Sequence, residues 1–199
     1  MTVLDLCSYL GLGATGAVTV NLLLGMLMSL RYSPQRQWPH RQVNIFFLHR
    51  WTAYIAVALT LTHPLVLLLV RTPRFRVTDL LWPIHSPLQP KVNLAGAGAL
   101  YLIMLVLISS LMRAQVARPL WRAIHYCVFP AAALIFLHSI LTDPLLSNGD
   151  PDLLDGGKIF VESCALLSVV SVAIRWRLRG SGFRPAMRSA RTPAERRGP

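Results

Sequence analysis

Long runs of apolar residues, separated by short polar connections, dominate the hydrophobic pattern of the chain. Four runs without Asp, Glu, Lys or Arg extend over residues 6–30, 51–70, 92–112 and 123–142. Each reaches the roughly 20 residues that an α-helix needs to cross a bilayer core. A fifth run, residues 157–176, contains Glu162, and Lys158 and Arg175 near its ends are expected to snorkel to the membrane interface. The pattern predicts an all-α membrane bundle of about five transmembrane helices.

The composition supports a membrane protein. Of the 199 residues, 54% are hydrophobic and 14% are charged, whereas about a quarter of the residues in a soluble domain are charged. The first span is expected to stay in the mature protein, because Asp5 precedes it and Arg31 follows it, the reverse of a secretory signal. We expect one membrane domain over residues 1–176 and a basic, disordered tail over residues 177–199.

Basic residues are concentrated in alternate connections. Residues 31–50, 113–122 and 175–199 hold 15 of the 20 Lys and Arg. Because Lys and Arg favour cytoplasmic loops, the N-terminus is predicted outside and the C-terminus in the cytoplasm, in a bacterial-type inner or plasma membrane. The net charge of +12 lies largely in the tail, where contact with anionic lipid headgroups is the simpler interpretation. The bilayer is therefore the expected partner, and no nucleic acid is.

Four of the six histidines fall on only two predicted helices, His49 and His63 on the second, His125 and His138 on the fourth. Ionisable residues inside spans are costly and mark candidate functional sites. A spacing of fourteen places His49 and His63 on one helix face, about 21 Å apart. A spacing of thirteen leaves His125 and His138 about 140° apart on an ideal helix. Pro130 lies between them and is expected to bend the helix, which reduces the offset in part.

The second and fourth helices are predicted to run in the same direction. His49 and His125 are then expected at the inner membrane depth, and His63 and His138 at the outer one. Two imidazoles on facing helices form an axial ligand pair for haem iron, and a bundle interior is a known location for this cofactor. Two interpretations stay open beside two stacked haems: histidines that only hydrogen-bond neighbouring helices, and zinc or non-haem iron sites.

Two motifs carry a resemblance to a known family. LHR-x12-H at His49 and His63, followed by WRAIH-x12-H from Trp121 to His138, resembles the ferric-reductase-like transmembrane domain. That family includes ferric reductases, NADPH oxidases and the haem-binding membrane subunit of the bacterial methionine sulfoxide reductase system. The resemblance covers roughly residues 43–176. It implies two b-type haems, with His49, His63, His125 and His138 as iron ligands, that carry electrons across the membrane.

The resemblance also implies partners. Ferric reductases and NADPH oxidases continue into a flavin and nicotinamide domain, which this sequence is not expected to contain. A separate electron donor is therefore expected, either a flavoprotein, a reduced flavin or a quinol, together with an external electron acceptor. Flavin from a partner is a second candidate cofactor. Arg50 and Arg122 adjoin the inner histidines and are expected to pair with haem propionates, and Arg71 or Arg74 are candidates for the outer haem.

The favoured function is a transmembrane oxidoreductase subunit that passes electrons from the inner to the outer face. The alternatives are a quinol-linked cytochrome b anchor with the opposite electron flow and a non-redox helical scaffold or transporter. The segments GLGATG and AGAGAL are interpreted as sites of close helix packing rather than phosphate cradles. The Pro-rich loop 71–91 is expected to lie on the membrane surface and cover the outer face. A histidine in such a loop more often has no special function, and this is the favoured interpretation of His85.

Overall fold

The computed structural model describes residues 2–30, 44–142 and 155–180, without the side chains of residues 179 and 180. Two 3-10 helices, Leu67–Leu69 and Pro83–His85, occur in these ranges, and no strand occurs in them. The α-helices are α1 Val3–Ser29, α2 Ile45–Val66, α3 Val77–Leu81, α4 Pro90–Leu111, α5 Arg118–His125, α6 Val128–Leu141 and α7 Gly156–Gly180. The predicted all-α fold is confirmed.

Five helical stretches are long and apolar enough to cross a membrane: Val3–Ser29, Ile45–Leu69, Pro90–Leu111, Arg118–Leu141 and Gly156–Leu178. The predicted number of spans is confirmed, and the chain is an integral, multi-pass membrane protein. The orientation of the termini stays a prediction. Helix α7 continues to Gly180, beyond the predicted boundary at residue 176, and the tail predicted to be disordered lies outside the described residues from 181 onward.

Local signals at the helix ends explain where the spans begin. Thr2 caps α1: its Oγ1 accepts the backbone N–H of Asp5 at 3.1 Å, and the Asp5 carboxylate accepts the N–H of Thr2 at 2.6 Å. Asn44 caps α2 through a 3.1 Å bond from the N–H of Phe47 to its side-chain oxygen. Pro90 opens α4, at a position where its missing N–H would have no helical partner.

Helix α1 is the central element of the bundle. It packs along α2 and also contacts α6 and α7, whereas α4 packs against α5 and α6. Small residues at these contacts let the helices approach closely. The core comprises Val18, Leu22, Met26, Ala56, Ala99, Ala132, Ile135, Phe136, Val161 and Cys164. The bundle therefore consists of an α1–α2 pair and a pair formed by α4 with α5 and α6, joined through α1, α6 and α7.

The fourth span is two helices rather than one. Pro130 has no N–H, and its ring would clash with the carbonyl of the residue four positions earlier, Tyr126. The chain turns there through tighter bonds, from the N–H of Cys127 to the carbonyl of Ile124 at 2.9 Å and from the N–H of Phe129 to the carbonyl of Tyr126 at 3.1 Å. The break thus lies between the two histidines of this span, as the position of Pro130 indicated.

One charged residue of the fifth span does not behave as expected, and a second has a contact inside the bundle. Lys158 is 3% exposed and bonds backbone carbonyls inside the bundle, so the prediction that it snorkels to the interface is wrong. Arg175 is half-buried, with its Nη1 3.6 Å from the sulfur of Met26 on α1. Both side chains are held by neighbouring helices, a contact that hydropathy along the chain does not reveal.

Candidate functional site

The four intramembrane histidines lie in two pairs, each formed between α2 and the broken fourth span. The ring centres of His49 and His125 are 6.5 Å apart, with 70° between the ring planes. The ring centres of His63 and His138 are 6.3 Å apart, with 75° between the planes. The structure therefore pairs the histidines that were expected at the same membrane depth. The pairs form in spite of the thirteen-residue spacing on the fourth span.

The spacing within each pair suits a metal ion between the rings. Two imidazoles that bind one iron from opposite sides, with each nitrogen about 2 Å from the metal and each ring centre about 1 Å farther out, have centres about 6 Å apart. Within the described ranges, no group of three or more His, Cys, Asp or Glu side chains is placed to hold a metal ion. Each pair offers two ligands, which fits a planar macrocycle that supplies four others and does not complete a tetrahedral zinc site.

Three of the four rings are held by a hydrogen bond from Nδ1 to a backbone carbonyl. Each carbonyl lies on the helix packed beside the one that carries the histidine, which is α1 for α2 and α4 for α6. These bonds run from His49 to Asn21 at 3.0 Å, from His63 to Cys7 at 2.9 Å and from His138 to Val92 at 2.9 Å. A carbonyl oxygen only accepts, so the proton of each neutral ring lies on Nδ1. The other nitrogen, Nε2, then keeps its lone pair for a metal, the arrangement found in most metal-binding histidines.

A glycine follows each of these carbonyls by four residues, at Gly11, Gly25 and Gly96. Residues four apart lie on the same helix face, so the ring that reaches the carbonyl passes over the glycine. A Cβ atom would lie 3.0 Å from His63 at Gly11, 3.3 Å from His49 at Gly25 and 3.1 Å from His138 at Gly96. The glycines therefore permit the close approach of the rings.

Sequence reasoning did not assign these glycines to the site, although a signal was present. Gly11 and Gly25 are fourteen residues apart, as are His49 and His63 on the antiparallel partner helix. GLGATG is a segment of close packing, as interpreted, but the group that packs on Gly11 is a histidine ring. The segment also has the glycine spacing of a dinucleotide-binding fingerprint. It lies inside α1, however, and that fingerprint requires a preceding strand.

His125 lacks the support that the other three rings have. Its Nδ1 is buried with no hydrogen-bond partner in the described residues. Thirteen residues after Gly96, α4 carries Ser109, which is buried and bonds its own helix. The His125 ring instead stacks on Trp121, with ring centres 5.0 Å apart and 21° between the planes. The guanidinium carbon of Arg113 lies 4.5 Å from the Trp121 ring centre, which is a cation–π contact.

A cavity of about 540 Å³ opens beside the pair formed by His63 and His138. Its volume is within the range of about 300–1,000 Å³ that is typical of ligand pockets. Loop 71–91 forms one wall through Phe75 and Pro83, which are both buried. This loop covers the cavity, and its location on the membrane surface at the outer face stays a prediction. The uncharged polar lining includes Ser8, Thr15, Thr60, Ser86, Asn93, Ser139 and Thr142.

The arginines expected near the cofactor are exposed. The guanidinium carbon of Arg50 lies 5.9 Å from the Phe47 ring centre, and Arg122 is exposed on α5, so propionate binding by these two stays a prediction. Arg71 and Arg74 are exposed as well, and neither lines the cavity. The exposed His85 is also outside the cavity lining. The lysine that sequence reasoning placed at the interface, Lys158, does line it.

Comparison with known families gives a match over residues 14–136, to the family described as ferric reductase like transmembrane component. The chain belongs to this family. The matched range includes His49, His63 and His125 and ends just before His138. It also includes most of α1, which the resemblance at roughly residues 43–176 left out. Comparisons with curated proteins and with solved structures find no match. As a ferric reductase like component, the chain is a transmembrane oxidoreductase module.

Proposed function

We propose that this ferric reductase like component carries electrons across the membrane between two b-type haems, one held by His49 and His125 and the other by His63 and His138. The observation that carries the proposal is the ring spacing, 6.5 Å in one pair and 6.3 Å in the other, which leaves room for one iron between each two imidazoles. Simple hydrogen bonding between helices would not require two pairs with this spacing.

The protein's own groups orient the ligands. The carbonyls of Asn21, Cys7 and Val92 hold the Nδ1 protons of three rings and direct their Nε2 atoms away from the supporting helices. When bound, each haem supplies an iron that exchanges one electron, and two histidine ligands leave no open position for oxygen, which favours electron transfer.

The positions of the pairs along the span support transfer across the membrane. His49 and His63 are separated by about 21 Å along α2, roughly two thirds of the ~30 Å hydrocarbon core. The distribution of Lys and Arg supports a cytoplasmic location of His49 and His125. We therefore propose that electrons enter at that pair and leave from His63 and His138. An inside-negative potential assists this direction, by about 2.3 kcal/mol per charge per 100 mV for a full crossing.

The electron donor is proposed to be separate from residues 1–199: a flavoprotein, a reduced flavin or a quinol. The electron acceptor is proposed to lie at the membrane face opposite the donor. Arg50 and Arg122 are proposed to bind haem propionates on the donor side. Reduced flavin and ubiquinol are each added to the purified protein, and the compound that reduces the haem identifies the kind of donor. A cytoplasm-active reporter fused to the C-terminus tests the direction, and a silent reporter would reverse it.

Haem stoichiometry tests the proposed function. Purified protein is expected to show a b-type reduced-minus-oxidised spectrum and two haems per chain by the pyridine haemochrome assay. Replacement of His63 with Ala is expected to remove one haem, because one axial ligand of one pair is lost. His85→Ala is the matched control, since this exposed histidine lies outside the cavity lining, and it should keep both haems. A colourless wild-type preparation would contradict the proposal.

A further inference from the structure

Lys158 is the one buried charged side chain in the described part of the molecule. Its amino group donates to the carbonyl of Ser139 at 2.9 Å, to that of Ile140 at 2.6 Å and to that of Thr142. These carbonyls belong to the last turn and the C-cap of α6. Because the helix ends there, no following helical N–H is available to donate to them. The side chain thus crosses from α7 to cap another helix.

The three carbonyls favour the charged form of Lys158. An ammonium group has three N–H donors and no acceptor, so it can satisfy three carbonyls, whereas a neutral amine would turn its lone pair towards one of them. The C-terminal end of α6 also carries a partial negative charge that stabilises a cation. The start of α7, where Lys158 itself lies, carries the opposite partial charge. The contacts with α6 therefore determine where this charge lies.

The charge is close to one histidine pair. Lys158, His63 and His138 line the same cavity, and the carbonyl of Ser139, next to His138 in the chain, accepts a bond from Lys158. Three carboxylates also line the cavity, and each accepts a backbone N–H at a helix start: Asp5 from Thr2 at 2.6 Å, Asp79 from Arg76 at 2.8 Å and Asp155 from Gly157 at 3.0 Å. Asp5 and Asp155 are exposed, so solvent screens them more than it screens Lys158.

We propose that Lys158 is a fixed positive charge that makes the cofactor at His63 and His138 easier to reduce than a neutral residue in its place would. This inference rests on the proposed function. An electron at this pair adds one negative charge to a low-dielectric interior, and a nearby buried cation lowers the free energy of that state. Oxidation of the cofactor that His49 and His125 would hold would supply the electron, so the charge of Lys158 would shift the equilibrium between the two sites towards the cofactor held by His63 and His138.

Redox titration of the haem-loaded protein tests the inference. In Lys158→Gln, which keeps hydrogen-bond donors and loses the charge, we expect one of the two midpoint potentials to fall by at least about 59 mV, a tenfold change for one electron. The other midpoint should stay in place. Lys158→Arg retains the charge and should restore the wild-type midpoint. Lys91 is the only other lysine of the chain and lies exposed at the start of α4, so Lys91→Gln is the matched control.

Two retained haems with unchanged midpoints in Lys158→Gln would overturn this inference and leave the proposed function standing. Loss of a haem in both Lys158→Gln and Lys158→Arg would also overturn it, because Lys158 would then be a structural support. A wild-type protein without haem would overturn the proposed function as well. Amine labelling of the folded protein in detergent gives a second measurement: Lys91 should react and Lys158 should be protected, and equal labelling would contradict the buried charge.

Discussion

The two histidine pairs have nearly the same ring spacing but different surroundings. At His63 and His138, both Nδ1 atoms donate to carbonyls, a glycine underlies each ring, and a buried lysine lies in the adjoining cavity. At His49 and His125, only His49 has a carbonyl and a glycine. Groups that support metal ligands typically change metal affinity by about 10–100-fold. Under the proposed function, the four histidines set where haem binds, and their supporting groups are expected to set how firmly it binds.

The difference has a structural cause in the fourth span. His138 lies on α6, which packs along α4 so that Val92 and Gly96 meet its ring. His125 lies on α5, on the other side of the break, where α4 carries Ser109 and no glycine. Its ring is positioned by stacking on Trp121, a contact worth about 0.5–1.5 kcal/mol beyond the buried area. At His125, stacking on an aromatic ring thus takes the place of the carbonyl and the glycine that support His138.

Removing a ligand should have the largest effect. His138→Ala and His125→Ala are each expected to lower the haem content from two per chain to one, because iron cannot be held from both sides by one imidazole. The haem that remains in His125→Ala should resist transfer to a haem-scavenging apoprotein better than the one that remains in His138→Ala. The haemochrome assay and the transfer rate measure both effects. Equal transfer rates would remove the distinction between the pairs.

Substitution of the supporting glycines should weaken binding without loss of the fold. A Cβ at Gly11 or Gly96 would lie 3.0 or 3.1 Å from an imidazole, so Ala must displace the ring, and we expect haem affinity to fall by about 10–100-fold. Helix propensity favours Ala over Gly by up to about 1 kcal/mol, which preserves the apoprotein. Haem titration measures the affinity.

Neighbouring glycines provide the controls. At Gly13 and Gly98 a Cβ would meet leucine methyl groups at 3.6 and 3.5 Å, which are ordinary contact distances. Gly13→Ala and Gly98→Ala should therefore bind haem as the wild type does. If they weakened binding as much as Gly11→Ala and Gly96→Ala, general helix packing would be the cause and the ring supports would not be.

Within the wild-type protein, the two haems should leave at different rates. We expect two phases of haem release that differ by about tenfold, the lower end of the range for a lost support. The faster phase should be absent in His125→Ala and the slower phase in His138→Ala. Stopped-flow or manual-mixing absorbance with a haem scavenger measures the phases. A single phase in the wild type would indicate equivalent sites.

The smallest effect is expected at the stacked ring. The Nε1 of Trp121 is buried without a hydrogen-bond partner in the described residues, so Trp121→Phe keeps a stacking ring and removes an unsatisfied donor. We expect the free energy of unfolding to change by less than about 1 kcal/mol, with both haems retained. Trp121→Leu loses the stack and should speed only the faster phase of haem release. Thermal melts and release rates measure the two variants, and faster release in Trp121→Phe would show that the indole itself is needed.

Much of the fold and the pairing of the four intramembrane histidines could be predicted from the sequence. Apolar length located five spans, and the shared direction of the second and fourth spans, with the expected membrane depth of each histidine, paired His49 with His125 and His63 with His138. Helical periodicity supported only the shared face of His49 and His63. Pro130 located the bend. The hydrogen bonds to carbonyls were beyond reach, because a backbone carbonyl has no signature in the sequence. The glycine spacing was visible, but its meaning depends on the register of two antiparallel helices.

Lys158 shows the same limit. Its position in a hydrophobic run indicated snorkelling, since charge near the end of a span usually reaches the interface. The structure instead places its amino group on the last carbonyls of α6, because the end of that helix lies beside the start of α7. By itself the sequence determined the spans, the four histidines and the family, because hydrophobic length and helical period are properties of each segment alone. Only the tertiary structure decided which carbonyls, glycines and charges surround each pair, because contacts between helices depend on their register and separation, which no single segment specifies.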